Sequence, residues 1–209
     1  MEDKRINERE SIEIITSMIA RTKERYSLSN GNIMLMWGYL TVGISALVWV
    51  LLALTHNPAV NWLWFLIWII GGIATPIMAK KEAVKKGVKT YTDKIIDRLW
   101  SIVGFSAITC TFACLGLLLV CGADSWSAMF VFALIIVPFA EIANGIVLNE
   151  SSYVYGGALG LAAGIFLACC IAGNVPLAAS WVMPLFIVAF VSMMIIPGHV
   201  IKHKAKKHL

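Results

Sequence analysis

A single carboxylate interrupts a long apolar stretch in the middle of this chain. The segment 137–145 is Val-Pro-Phe-Ala-Glu-Ile-Ala-Asn-Gly, and it follows an almost wholly apolar run, 127–136. Pro138 and Asn144 each lie three residues from Glu141, so the three side chains share one face if the segment is helical. A proline frees a backbone carbonyl, a carboxylate holds a proton or a cation, and a carboxamide adds another oxygen. The combination predicts a polar pocket for a proton, a cation or a cationic ligand.

Glu141 also has structural interpretations. Seven residues, about 10 Å of helix, separate it from Leu148 at the end of the apolar stretch. It would then lie near the membrane surface, or make one hydrogen bond that joins two helices. Ionisable residues inside a membrane usually face the interior of the helix bundle or a water-filled cavity. Thr75, which precedes Pro76, would add a hydroxyl, so the candidate intramembrane polar site consists of Glu141, Asn144, Pro138 and Thr75.

The composition indicates that most of the chain is embedded in a membrane. Of its 209 residues, 59% are hydrophobic and only 14% are charged, whereas soluble domains carry about 25% charged residues. A transmembrane helix needs about 20 mostly apolar residues. Six segments qualify, at roughly 33–54, 60–79, 99–120, 127–148, 154–172 and 177–197. The sequence therefore predicts an all-α polytopic membrane protein with six transmembrane helices.

The basic residues predict how these helices are oriented. All 17 lie in three places: six before the first apolar segment, seven in residues 80–98 and four in the tail. Because Lys and Arg collect on the cytoplasmic side of a membrane, both termini are expected in the cytoplasm. The predicted domains are a cytoplasmic amphipathic helix (1–31), a transmembrane domain (32–198) with a basic cytoplasmic loop (80–98), and a basic cytoplasmic tail (199–209).

The basic loop is expected to contact anionic lipid headgroups, since each Lys or Arg near such a surface gains about 1 kcal/mol. Binding of a phosphate-bearing ligand is the alternative. The net charge of +5 is explained by topology and lipid contact, so no nucleic-acid partner is predicted. The candidate lipid contacts are Lys80, Lys81, Lys85, Lys86 and Lys89.

The N-terminal segment 7–26 has the pattern of an amphipathic helix. Its apolar residues follow helical spacing, and residues 27–31 (Ser-Leu-Ser-Asn-Gly) predict where the helix ends. Such a helix would lie on the bilayer or dock another surface. Six acids balance six bases before the first span, which favours a protein partner, or the chain's own basic loop, over anionic lipid. The candidate docking face consists of Ile12, Ile15, Ile19 and Tyr26.

The six segments also suggest an internal repeat. Trp37, Trp100 and Tyr155 open the odd segments, and a second tryptophan follows after 25, 26 and 26 residues. This spacing predicts three helical hairpins in parallel orientation, although tryptophans at the membrane interface recur in any such protein. Fifteen residues beyond the second tryptophan of each hairpin lie Ile77, Glu141 and Ile196.

The chain lacks the motifs of common enzymes. It contains no glycine-rich phosphate loop, His-Glu-x-x-His or Gly-x-Ser-x-Gly. We therefore predict no enzymatic activity, metal site or cofactor. The five cysteines are expected to be small packing residues; a soft-metal pair at Cys110 and Cys114, or a disulfide from Cys121 to Cys169 or Cys170, is the alternative.

The stretch Glu-Ser-Ile-Glu-Ile-Ile-Thr-Ser-Met-Ile at 10–19, followed by Met-Trp-Gly at 36–38, resembles a group of small, uncharacterised membrane proteins of Bacteroidetes-type bacteria. The resemblance implies a location in the bacterial inner membrane. It implies no activity.

Two functional hypotheses follow from these observations. The first is a non-enzymatic module that docks a cytoplasmic or membrane protein, or senses the membrane, through its N-terminal helix. The alternative is a small-solute transporter, or a substrate-binding transport subunit, that uses Glu141. Small residues on the apolar segments would also permit close packing between copies in a homo-oligomer.

Overall fold

A computed structural model describes residues 7–86 and 91–207, and every regular element within these ranges is helical. The elements in chain order are α1 (Glu8–Thr55), a 3₁₀ helix (Pro58–Trp64), α2 (Phe65–Lys86), α3 (Tyr91–Cys121), α4 (Ser127–Leu148), α5 (Ser151–Ala172), α6 (Ala179–Phe190), a π-helical turn (Val191–Ile195) and α7 (Ile196–Lys207).

The six predicted spans are confirmed. Within the described ranges, six helical stretches are long and apolar enough to cross a membrane, and the last of them combines α6, the π turn and most of α7. Large apolar side chains such as Ile73, Phe105 and Phe112 are exposed on the outside of the bundle, where lipid replaces water as the surrounding medium. The protein is an all-α, multi-pass membrane protein.

The helices pack in an order that differs from their order in the chain. α1 contacts α2, α6 and α7, while α5 contacts α4 and the π turn, and α3 packs against α4. The closest pair is α4 with α5, because only Asn149 and Glu150 connect them and because glycines line their contact. The core between the helices includes Leu134, Tyr153 and Met193.

Prolines and glycines explain how α5 packs so closely. Pro138 has no N–H to bond the carbonyl of Leu134 one turn earlier, and a side chain on Gly164 would overlap that carbonyl oxygen. Pro197 likewise cannot donate to the π turn. There the Ser192 carbonyl oxygen lies 2.6 Å from the point where a side chain on Gly156 would begin. In both places a glycine lets the helix backbone cover a carbonyl that proline leaves free, a close approach typical of membrane helices.

The predicted end of the N-terminal helix at residues 27–31 is absent. α1 is one unbroken helix of 48 residues. The part of it that can span the membrane begins at Asn32. The preceding 24 residues would extend about 36 Å beyond it at 1.5 Å per residue. Serine, asparagine and glycine cost at most about 1 kcal/mol each inside a helix, and a helix already formed in the membrane extends without a new nucleation step.

The described parts of the basic loop (80–98) and of the tail (199–209) are helical. α2 continues to Lys86, α3 begins at Tyr91 and α7 reaches Lys207. Lysine and glutamate are good helix formers, so the helix continues after the apolar sequence stops. We call the end of the bundle that carries these extensions the basic end.

Two polar contacts hold α7 to the rest of the bundle at the basic end. Lys204 forms an ion pair of 2.9 Å with Glu150 in the α4–α5 connection. The Tyr39 hydroxyl and His199 Nε2 are hydrogen-bonded at 2.6 Å, which joins α1 to α7.

The three positions related by the proposed repeat have different surroundings. Ile77 and Ile196 are 62% and 53% exposed, so they face outward, whereas Glu141 is fully buried. The three-hairpin repeat stays a prediction. Glu141, in the middle hairpin, differs from the two isoleucines in burial as well as in side-chain chemistry.

Candidate functional site

Glu141 lies on the buried face of α4. The face also includes Leu134, Pro138, Asn144 and Leu148, which follow one another at three- or four-residue spacing. Glu141 is 0% and Asn144 1% exposed, while Phe139 and Ile146 on the opposite side are exposed. Pro138, Glu141 and Asn144 therefore share one face of the helix, and that face turns toward other helices.

The polar atoms of this face are not satisfied by the protein around them. Neither carboxyl oxygen of Glu141 nor Oδ1 of Asn144 has a hydrogen-bond partner among the described residues. Removing an isolated ionised carboxylate from water costs several kcal/mol even after relaxation of the surroundings. An ionised Glu141 would therefore need a hydrogen-bond donor or a cation that the described residues do not supply.

Thr75 takes part in a different contact. Its hydroxyl accepts a hydrogen bond of 2.9 Å from Trp37 Nε1 and donates one of 2.7 Å to the Gly71 carbonyl. The Trp37 ring covers Gly71 so closely that a side chain there would overlap it. Thr75 therefore fastens α2 to α1, and it makes no hydrogen bond to Glu141.

Three elements meet one turn before Glu141. A side chain on Gly160 of α5 would begin 3.0 Å from the Pro138 ring of α4 and 2.7 Å from the sulfur of Met193 in the π turn. On its other side the π turn contacts Gly38 of α1 through Met194 and Ile195. The π turn consequently connects α1 to the α4–α5 pair. Such turns occur frequently at functional sites.

A shallow groove of about 290 Å³ opens at the α4–α5 connection, on the basic end. Gly145, which directly follows Asn144, is part of its wall. Asn149 also lines the groove, eight residues or about 12 Å of helix from Glu141. Neither Asn144 nor Glu141 lines the groove itself.

The remaining candidate residues are only partly described. Ile12 is exposed, and the side chains of Ile15, Ile19 and Tyr26 lie outside the described part of the structure. Lys80 and Lys81 are exposed near the end of the second span. The side chains of Lys85 and Lys86, and all of Lys89, fall outside what the structure describes.

The five cysteines carry free thiols. Cys114 is buried and contacts the Ser125 carbonyl at 3.5 Å, which ties the end of α3 to the start of α4. Cys121 and Cys169 are exposed and Cys170 is buried.

The sequence analysis missed the π turn and the Glu150–Lys204 ion pair. Pro197 in an otherwise apolar segment was the available indication of a helix irregularity. Nothing local indicated the ion pair, because 54 residues separate its partners.

Comparisons with protein-family models, with curated proteins and with solved structures each find no match to this chain.

Proposed function

We propose that this protein is a non-enzymatic module of a bacterial inner membrane that docks a cytoplasmic protein through the N-terminal part of α1. The observation that carries the proposal is the continuity of α1 from Glu8 to Thr55. A helix joined without a break to a transmembrane span moves with that span. Whatever binds the N-terminal part would therefore be mechanically connected to the membrane domain.

The continuity of α1 favours docking over membrane sensing. A helix that senses lipid lies in the plane of the interface with its apolar face in the headgroup region. That arrangement requires a turn between the surface helix and the span, and α1 has none between Glu8 and Thr55. The balance of acids and bases before the span also lacks the excess of Lys and Arg that binds anionic lipid.

The exposed surface of this segment suits a protein partner with an apolar groove. Ile12, on the candidate docking face, is 63% exposed. Ile14 is 42% exposed but lies about 160° away around the helix, on the opposite side. The hydroxyls of Thr16 and Ser17 donate to the carbonyls of Ile12 and Ile14, at 2.7 and 2.8 Å, so their hydrogens point back to the helix. Exposed charges such as Glu13 surround these side chains. An amphipathic helix of this kind binds a partner by laying its apolar face into a groove.

The basic end of the bundle supports a cytoplasmic location for both termini. Every basic residue of the chain lies in the N-terminal segment, the α2–α3 region or α7, and these are at one end when the six spans alternate in direction. Lys80 and Lys81 would then contact anionic headgroups of the inner leaflet. Together with the N-terminal resemblance, this supports the inner membrane of a bacterium as the location.

A second function, transport that depends on Glu141, is favoured by one specific observation. The carboxyl group is fully buried and has no hydrogen-bond partner among the described residues. The grooves at the α4–α5 connection and along Trp49 to Leu54 of α1 do not include Glu141. The geometry there favours a proton or a small cation over an organic solute.

The docking proposal can be tested with two matched variants of the full-length protein. Ile12→Asp places a charge on the candidate docking face. Ser17→Asp places the same charge about 140° away around the helix, at another exposed position. Each protein is crosslinked in native membranes, purified, and its partners are quantified by mass spectrometry.

We expect a partner to be recovered equally with the wild type and Ser17→Asp, and at least about tenfold less with Ile12→Asp, which corresponds to about 1.4 kcal/mol. Equal recovery with all three proteins would refute docking through this face. Recovery of only the chain itself, detected with two differently tagged copies, would replace the docking proposal by self-association.

A further inference from the structure

Three oxygen atoms on the buried face of α4 each lack a hydrogen-bond donor among the described residues. They are the two carboxyl oxygens of Glu141 and Oδ1 of Asn144, and none has a donor among the described residues. An ionised carboxylate and an amide oxygen only accept hydrogen bonds. What these atoms lack is therefore a hydrogen-bond donor or a cation, and a bound proton supplies one.

We propose that Glu141 and Asn144 form a proton-binding site, in which the carboxyl O–H of Glu141 donates to the amide oxygen of Asn144. One proton removes the charge from the apolar interior and supplies the missing donor. The two residues stand three apart on one helix face, the spacing at which such side chains meet. The site is independent of the docking proposal and does not rest on it.

Charged groups on the neighbouring helices do not replace the proton. α4 packs against α3, α5 and α6. The sequences of α5 and α6 contain no Asp, Glu, Lys, Arg or His. The charged residues of α3 all lie within residues 91–98, at its basic end. The other titratable groups on these helices are tyrosines at the basic end of α3 and α5, and cysteines in the opposite halves of the same helices.

A proton fits this site better than a divalent metal. Ca²⁺ takes about six to eight oxygen ligands, and Mg²⁺ demands a nearly octahedral set that usually includes several waters. Glu141 and Asn144 together offer three side-chain oxygens, and both residues are buried. A single proton needs only one donor atom and one acceptor, which are both present.

A groove lined by Gly145 and Asn149 opens at the α4–α5 connection, about 12 Å of helix from Glu141. The groove includes neither Glu141 nor Asn144, and both residues are buried. A proton on the site is therefore separated from the groove by the buried part of α4.

Infrared difference spectroscopy of the full-length protein in lipid vesicles tests the site directly, because a protonated carboxyl group has a C=O stretch that a carboxylate lacks. We expect the wild type to show this band at neutral pH and Glu141→Gln to lose it. Asp124→Asn, which neutralises an exposed acid outside the spans, is the matched control and should retain the band. Asn144→Leu should keep the band but move it to higher frequency, because its hydrogen bond is lost.

Several outcomes would overturn the proposal. A wild-type spectrum with only carboxylate bands would show that Glu141 is ionised. A band that disappears at constant pH when Na⁺ replaces K⁺ would make the site a sodium site. A band that does not move in Asn144→Leu would remove Asn144 from it. This last variant decides the pairing even if Glu141→Gln fails to fold.

Discussion

Replacing Gly164 by alanine should push α4 and α5 apart. The new methyl group would lie 2.5 Å from the carbonyl carbon of Leu134 and closer still to its oxygen, whereas ordinary contacts of this kind begin near 3.4 Å. These are backbone atoms, so no side-chain rotation relieves the overlap. The two helices must therefore separate by about 1 Å at this point.

The magnitude follows from three contributions. Overpacking of a close interface costs about 1–3 kcal/mol. The Leu134 carbonyl, which Pro138 deprives of its usual donor, also loses a weak Cα–H···O contact worth about 0.5–1 kcal/mol. Alanine regains up to about 1 kcal/mol through its higher helix propensity. The net loss of stability is about 1–3 kcal/mol, which corresponds to a fall in Tm of roughly 2–12 °C for a protein of this size.

The matched control is Gly104→Ala on α3. No atom lies within 4 Å of the added methyl group there, so the same substitution should leave Tm unchanged or raise it. Both variants are heated in detergent, and the fraction that remains monodisperse is followed by size-exclusion chromatography. If Gly164→Ala proves as stable as Gly104→Ala, the close approach of α5 to the Leu134 carbonyl does not exist.

Three further predictions concern other parts of the molecule. A variant that keeps only Cys121, exposed at the end opposite the basic extensions, should react with a membrane-impermeant maleimide in spheroplasts; reaction only after lysis would reverse the proposed orientation. Thr75→Val should lower stability by about 1 kcal/mol, but by much less when Trp37 is already replaced by Phe. A double-mutant cycle of unfolding measures both losses. Equal losses would mean that the 2.9 Å hydrogen bond from Trp37 to Thr75 does not contribute to stability. Lys204→Ala should cost less than about 1 kcal/mol because the lysine is half exposed; a larger loss in a thermal melt would show that this pair holds α7 in place.

Some features of the site could be predicted from the sequence because they are local. The shared face of Pro138, Glu141 and Asn144 depends only on helical spacing. The partner of Thr75 could not be predicted in the same way, because Trp37 lies 38 residues away and on another helix. The sequence grouped Thr75 with Glu141, and no local pattern pointed to the hydrogen bond with α1.

The helix ends show a second limit of the sequence. Four of the six spans were predicted to within three residues, since apolar length is a property of each segment by itself. The third span begins eight residues earlier than predicted and the sixth ends seven residues later. The same property says where a chain leaves the membrane but not where its helix stops. For this reason the helix break expected after residue 26 is absent, and α2 extends to Lys86 while α3 begins at Tyr91.

The sequence by itself determined the fold class, the number of spans and the predicted orientation, because these depend on apolar length and on the position of charges along the chain. Except on α4, where Glu141 and Asn144 mark the inward face, only the tertiary structure decided which side of a span faces inward. Lipid and protein interior are both apolar, so the side chains that face them are chemically alike and carry no polar stripe to tell them apart. The burial of Glu141 without a partner, and the contact of the π turn with both α1 and α5, result from how the helices meet.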